Sequence, residues 1–329
     1  MRFTQLTEHV INGTWRCDVC QWGCQLADGE IGRCLVRTGN GEGITILNDG
    51  IISAAQVSPI EDHRIWHAFP NAPILAIGSW GYAFPVDQER GPYGQIPTDD
   101  RKNRRLDPDR AAQFALEQLC RGVMWKYSDP SVSHEYVLEL LKLSRASSRF
   151  TAIVTSGYLT VSALDEIGHY LDIMNLDLRA FDDAAYQQLA GITNWREILK
   201  TTAHARNHWN CHIEVTTQLH PQINDTDEQL KAMSDWMCTT LGPQTPWHVL
   251  PGDNGAAATA SVTRARKIGH ETGLKFIYTS ESEQNTLCPS CGSVIIERND
   301  KVSRLIGLDN GHCTACGEQI NIRTSIFKR

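Results

Sequence analysis

"PILAIGSWGYAFPVDQERGPYG", residues 73–94, decides the fold. The apolar run Pro73 to Ile77 stops at Gly78, and a glycine-studded turn, Ser79 to Gly81, leads into a long polar segment. A short apolar run bounded this way reads as a buried strand ending in a loop. Similar runs recur at "GVMWKY" (122–127), "FTAIVTS" (150–156), "IMNLDLR" (173–179), "CHIEVTTQL" (211–219), "PWHVLPG" (246–252) and "KFIYTS" (275–280). Between them lie helical patterns: "DPDRAAQFALEQLC" (107–120), "SVSHEYVLELLKLSR" (131–145), "TVSALDEIGHYL" (160–171), "DTDEQLKAMSDWMCTTL" (225–241) and "ASVTRARKIGHETGL" (260–274). Several open on Asp, Ser or Thr, as N-caps do, and the last stops at Gly273. Strand–helix alternation implies parallel strands with right-handed crossovers, hence an α/β barrel or open sheet. Either way, ligands bind at the carboxyl ends of the strands, which makes residues 78–94 a candidate rim.

The chain of 329 residues has a formal net charge of −7 and a pI near 5.9, which argues against general nucleic-acid binding. Its one dense basic run, "RKNRR" (101–105), is flanked by Asp99, Asp100, Asp107 and Asp109 and reads as a solvated loop. The N-terminus has no apolar core of signal-peptide length. No stretch approaches the roughly 20 apolar residues of a membrane span. A cytoplasmic protein with no membrane partner is expected. In a reducing compartment, eleven cysteines point to metals rather than disulfides.

Cysteines cluster at both ends. Cys288, Cys291, Cys313 and Cys316 form two C-x2-C pairs separated by twenty-one residues, with Gly292 and Gly317 directly after each second cysteine. Two such knuckles supply four thiolates in a tetrahedron, a closed structural zinc site. Cys17, Cys20, Cys24 and Cys34 follow C-x2-C-x3-C-x9-C, and Gly29 and Gly32 let the chain turn back to bring Cys34 to the other three. Zinc is the first expectation there and an electron-transfer iron–sulfur cluster the second, because thiolates serve both. Cys120, Cys211 and Cys238 stand apart and read as small core residues. His63 and His67, in "HRIWH", have helix-face spacing but no evident third ligand, so packing is expected.

Eight stretches, in order and spacing, carry a likeness: "CDVCQWGCQLADGEIGRCLVR" (17–37), "AQVSPIEDHRIWHAFPN" (55–71), "WKYSDP" (125–130), "VTSGYLT" (154–160), "MNLDLRAFDDAAYQQLAG" (174–191), "IEVTTQLHPQINDTDEQL" (213–230), "NTLCPSCGSVIIER" (285–298) and "GHCTACG" (311–317). Through them the chain resembles the radical SAM (S-adenosylmethionine) component of the AmmeMemoRadiSam system, close to pyruvate formate-lyase activating enzymes. The resemblance implies a partial or full (β/α) barrel of the radical SAM type. It divides the chain into an N-terminal four-cysteine module (1–70), the barrel (71–280) and a C-terminal zinc ribbon (281–329).

In that family the first barrel strand runs into a C-x3-C-x2-C loop whose thiolates hold a [4Fe-4S] cluster that chelates SAM. The corresponding positions here are Tyr82, Val86 and Glu89, and no cysteine occurs between Cys34 and Cys120. The resemblance therefore implies a degenerate member with no cluster at the barrel mouth and no radical cleavage of SAM. The family's "NEP"-type turn reads Ser128-Asp129-Pro130, its "TNG" turn Thr155-Ser156-Gly157, and its usual lysine after "VDL" is Arg179. A basic, histidine-bearing stretch late in the barrel is replaced by "WHVLPGDNGAAA" (247–258). The pocket frame that remains is Asp129, Thr155, Ser156, Asp177, Glu214, Thr216 and His248.

The leading expectation is a cluster-free relative that binds SAM or another nucleotide, for non-radical chemistry or in support of a catalytic partner. A second is an active radical enzyme whose cluster sits on Cys17, Cys20 and Cys24, with Cys34 free and the module folded over the mouth. A third is a new iron(II) or manganese site from Tyr82, Asp87, Glu89 and a histidine such as His248. A fourth is a zinc-stabilised interaction module that docks a protein partner through its ribbon and the polar loop "VDQERGPYGQIPTDDRKNRR" (86–105).

Overall fold

The computed structural model describes residues 2–11, 13–252, 255–279, 285–299 and 302–326. Its centre is an eight-stranded sheet: β1 (Ala54–Pro59), β2 (Pro73–Gly78), β3 (Gly122–Trp125), β4 (Phe150–Thr155), β5 (Ile173–Asp177), β6 (His212–Leu219), β7 (Trp247–Pro251) and β8 (Ile277–Thr279). The strands lie side by side in chain order. Strands β2 to β8 are all parallel, and β1 closes one edge antiparallel to β2, with Ala54 opposite Gly78 and Pro59 opposite Pro73. Parallel neighbours need crossovers, and the helices supply them. They are α1 (Pro85–Arg90), α2 (Pro108–Glu117), α3 (His134–Ala146), α4 (Val161–Gly168), α5 (Asp183–Ala190), α6 (Arg196–Asn207), α7 (Asp227–Trp236) and α8 (Ala256–Glu271).

Side-chain caps start three of them. Thr160 accepts from Ala163 N at 3.1 Å, Asp182 from Ala185 N at 2.9 Å and Thr226 from Gln229 N at 3.3 Å, each satisfying an amide the helix cannot pair. All seven strand expectations from the sequence are met within a few residues. Three helices were not foreseen. α1 lies inside the expected polar loop, where Pro85 occupies the first turn, a position its fixed φ suits. α5 and α6 fall between two expected strands and were not read. Arg104 and Arg105 also depart from a free loop, since they pair with Ile51 and Ile52.

Alternate residues of each strand face opposite ways, and so there are two cores. The outer one packs Ile77, Trp125, Ile153, Val215 and Trp247 under the helices, together with Cys120 and Cys211; Cys238 packs against it. The inner one holds Ile74, Met124, Ala152 and Ile173 against Ile60, Ile65 and Phe69. Residues 60–72 thus plug the lower barrel, with Phe69 stacked on Phe150 at 4.1 Å. The sequence division placed that segment with the N-terminal module, whereas residues 54–72 pair and pack with the sheet.

The N-terminal module forms a small antiparallel sheet of residues 7–11, 14–17 and 25–26. It docks on the loops after β2 and β4: Gln21 N donates to Tyr158 O at 3.0 Å, Thr160 Oγ1 to Asp18 O at 2.6 Å and Trp22 Nε1 to Ala83 O at 2.7 Å. The ribbon packs its Ile295, Ile296 and Ile320 against Trp66, Phe276 and Tyr278. Among the described residues, no helix is long and apolar enough to cross a membrane.

Candidate functional site at the barrel mouth

The last residue of β2, Gly78, has room for no side chain, because a Cβ there would lie 1.8 Å from the Lys126 carbonyl oxygen. The chain then passes Tyr82 and Phe84 into α1. Asp87 on α1 receives both Arg179 Nη atoms at 2.7 and 2.9 Å, while Arg179 Nε donates to Asp177 at 3.1 Å. A bidentate arginine pair is among the stronger charge-assisted contacts, and it ties α1 to the end of β5. A cavity of about 660 Å³ opens here, lined by Tyr82, Val86, Lys126, Asp177, Thr216 and His220 among others. A narrower cleft of about 140 Å³ adjoins it, reaching Asp129, Thr155 and Ser156.

Asp129, Thr155 and Ser156 come together. The Asp129 carboxylate accepts from Ser131 N at 3.0 Å, Thr155 Oγ1 at 3.1 Å, Ser156 N at 2.8 Å and Ser156 Oγ at 2.6 Å. It holds two loops in register at the cleft wall. Asp177 lines both openings. Burial pushes its carboxyl upward, Arg179 opposes this, and the direction remains upward. Burial, with Asp87 nearby, pushes the Tyr82 phenol up to about 12. Thr216 donates to Asn175 Oδ1 at 3.0 Å on the cavity wall.

Glu214 and His248 go elsewhere. Glu214 lies opposite Asn175 in the sheet, two residues below the row of Asp177 and Thr216, and it is fully buried. Its oxygens accept from Trp66 N at 2.9 Å, His67 N at 2.7 Å, His212 Nε2 at 3.0 Å and His248 Nε2 at 2.7 Å. Burial pushes this carboxyl up, but the hydrogen bonds and charges of His212 and His248 bring it well below the usual range. Neither Glu214 nor His248 lines the mouth cavities. They anchor the plug.

The ribbon joins the same network. Arg298 Nη2 donates to Trp66 O at 2.5 Å, Nη1 donates to Thr286 Oγ1 at 2.8 Å, and the guanidinium lies over the Trp66 ring at 4.8 Å. His67 Nε2 meets Tyr278 Oη at 2.6 Å, so His67 packs, as the sequence suggested. His63 is also buried: its Nε2 meets Ser58 Oγ at 2.8 Å and its Nδ1 meets Lys126 Nζ at 2.8 Å.

The two cysteine modules differ in geometry. Cys288, Cys291, Cys313 and Cys316 converge, with Sγ–Sγ distances of 3.6 Å (Cys288–Cys316) and 3.8 Å (Cys291–Cys313). Tetrahedral zinc with bonds of about 2.3 Å separates its sulfurs by about 3.8 Å, so these four fit a metal. Amide donation from Gly292 to Cys288 O and from Gly317 to Cys313 O, each at 2.9 Å, closes the knuckles. Cys17, Cys20, Cys24 and Cys34 sit near one another, but no three of their sulfurs lie within 4.8 Å. Burial pushes the Cys17 thiol up to about 11, partly offset by Arg37. Arg37 is itself buried and bidentate to Glu135 at 2.8 and 2.9 Å.

Sequence reasoning missed Arg64, Lys126 and Asn175 in the cavity. Lys126 could have been found, since it stands in "WKYSDP" at a strand end. Arg64 could not, because residues 60–72 reach the barrel interior only through the plug.

Residues 87–237 match the radical SAM superfamily. An uncharacterized protein of Methanocaldococcus jannaschii is 26% identical over 336 residues, covering 98% of this chain and 99% of that relative. The 4-hydroxyphenylacetate decarboxylase activating enzyme of Clostridium scatologenes is 28% identical over 116 residues, 35% of this chain and 37% of the enzyme. The isethionate sulfite-lyase activating enzyme of Oleidesulfovibrio alaskensis is 25% identical over 114 residues, 34% of this chain and 37% of that enzyme. The chain thus spans little more than a third of either enzyme. It carries a radical SAM domain with activating enzymes among its homologues, and its mostly parallel sheet is the α/β fold of that superfamily.

Proposed function

We propose that this radical SAM domain works without an iron–sulfur cluster at its mouth and binds a small molecule there, SAM or another nucleotide. Its role is non-radical chemistry or support of a catalytic protein partner. The carrying observation is the loop after β2. Tyr82, Val86 and Glu89 offer a phenol, an isopropyl group and a carboxylate, a donor set that does not fit a cluster needing thiolates. Glu89 is exposed and lines neither mouth cavity. Asp87, between them, is held by Arg179. The superfamily match opens at residue 87, beyond Tyr82 and Val86. Asp177 on the cavity wall suits a ribose hydroxyl or an ammonium. Zinc in the ribbon is structural, because four thiolates leave it no open position.

One observation favours a second reading. The N-terminal module docks on the mouth-side loops, as a radical enzyme with its cluster on Cys17, Cys20 and Cys24 would require. Against it, none of these cysteines lines either cavity.

Metal and sulfide analysis of protein purified without oxygen tests the choice. About one zinc per closed four-thiolate site, with negligible iron and sulfide, supports the first reading. About four iron and four sulfide per chain, lost on Cys17→Ser, would replace it with the second.

A further inference from the structure

The cavity floor gathers positive charge. Lys126 leaves the end of β3, and Arg64 ends the short 3-10 helix Ile60–His63 with a left-handed φ of 58°. A non-glycine residue in that region is strained, and such strain persists where the surroundings hold it. Asn175 does the holding: its Nδ2 donates to His63 O at 2.9 Å and to Arg64 O at 3.0 Å. His63 steers the lysine. Its Nδ1 accepts from the Lys126 ammonium at 2.8 Å, which leaves the Nε2 proton to donate to Ser58 Oγ at 2.8 Å.

Among the described residues, neither Arg64 nor Lys126 has a carboxylate within ion-pair distance. The other cavity arginine with defined contacts, Arg179, is fully engaged by Asp87 and Asp177. Burial lowers the Lys126 ammonium; Asp62 opposes this, and Arg64, a smaller effect than Asp62, adds to the lowering. Burial, then Lys126, lowers His63 to about 3. Two cations in one half-buried cavity call for anions, and Asp62 on the same wall meets both without pairing directly with either. Both side chains line the same 660 Å³ opening as Asp177.

We propose that Lys126 and Arg64 form an anion subsite at the cavity floor, which takes the phosphate or carboxylate group of a ligand whose neutral or cationic end lies toward Asp177. His63, Ser58 and Asn175 are positioning residues for it. This rests on reading the cavity as a small-molecule site, and the test separates the two.

Calorimetry with inorganic phosphate, adenosine 5′-monophosphate, SAM and adenosine is run on the wild type, Lys126→Met and Arg64→Asn, the last because asparagine tolerates the left-handed backbone. Wild type is expected to bind the monophosphate or SAM more tightly than adenosine. Each variant should weaken the anionic probes about ten-fold or more, as loss of a charge-assisted contact does, and leave adenosine unchanged. A phosphate group or a carboxylate as the natural anion is told apart by which of the monophosphate and SAM loses more. Phosphate binding that both variants abolish, with no binding of any nucleoside, would sustain the subsite while ending the nucleotide reading. Unchanged affinities in both variants, or no heat from millimolar phosphate, monophosphate or SAM, would overturn the proposal.

Discussion

Asp177 and Glu214 stand on adjacent strands, one row apart, and both sequence and family likeness presented them as acids of one pocket. Their environments push them in opposite directions. Asp177 faces the cavity and its carboxyl is raised by burial, whereas Glu214 lies beneath it and is held well below the ordinary range once His212 and His248 outweigh burial. Two backbone amides of the plug complete the Glu214 shell. One row of β-sheet separates an acid available to a ligand from an acid that holds the barrel shut. Loss of the deep acid should cost stability, and loss of the rim acid should cost binding.

Glu214→Gln is the largest effect expected. It puts an amide donor where several donors already point, and breaking a buried charged network by altering one partner costs roughly 3–5 kcal/mol. Denaturant unfolding reads it, and a loss below about 1 kcal/mol, the worth of an ordinary surface change, would remove the contrast.

Acid should loosen the same layer. Glu214, with its folded value depressed, contributes stability that is present above the ordinary carboxylate value and lost as pH falls through the folded one. His63 and His67 are both held to about 3 by burial, with Lys126 adding to the effect at His63 and Arg298, His212 and His248 adding at His67 against Glu214. Unfolded imidazoles bind protons from about 6.5 downward, so stability falls across the window from about 6.5 to about 3. His67→Phe should flatten that slope even if it shifts the midpoint. A slope unchanged by the substitution would mean that other groups set the acid limit.

Arg179→Lys comes next. It keeps the charge but loses the fork that spans Asp87 and Asp177, so α1 should exchange its amide protons faster, at a cost of about 1–2 kcal/mol. Hydrogen exchange over residues 85–91 checks it. The smallest effect on stability is Asp177→Asn. Removing a carboxylate whose charged form is disfavoured should leave neutral-pH stability within about 0.5 kcal/mol or slightly higher, while nucleotide affinity falls. If stability drops and affinity holds, the roles of the two rows are reversed.

The strands were legible because those of a parallel sheet, buried on both faces, read as unbroken apolar runs such as "PILAIG". The ribbon was legible because its spacing and its two glycines define a knuckle. Depth was not. In "CHIEVTTQL" alternation tells that Glu214 and Thr216 point inward, but only the distant segment 60–72 decides which of them lies above the plug. α1 was hidden for a related reason: a short, mostly polar segment opening on Pro85 looks like a loop until Arg179, far along the chain, fixes Asp87.

The most direct measurement is 5′-deoxyadenosine formation when oxygen-free protein is incubated with SAM and a strong one-electron reductant. A loop that carries Tyr82, Val86 and Glu89 where a cluster needs thiolates predicts none above the protein-free control, with SAM recovered intact. Stoichiometric 5′-deoxyadenosine would contradict the cluster-free reading outright.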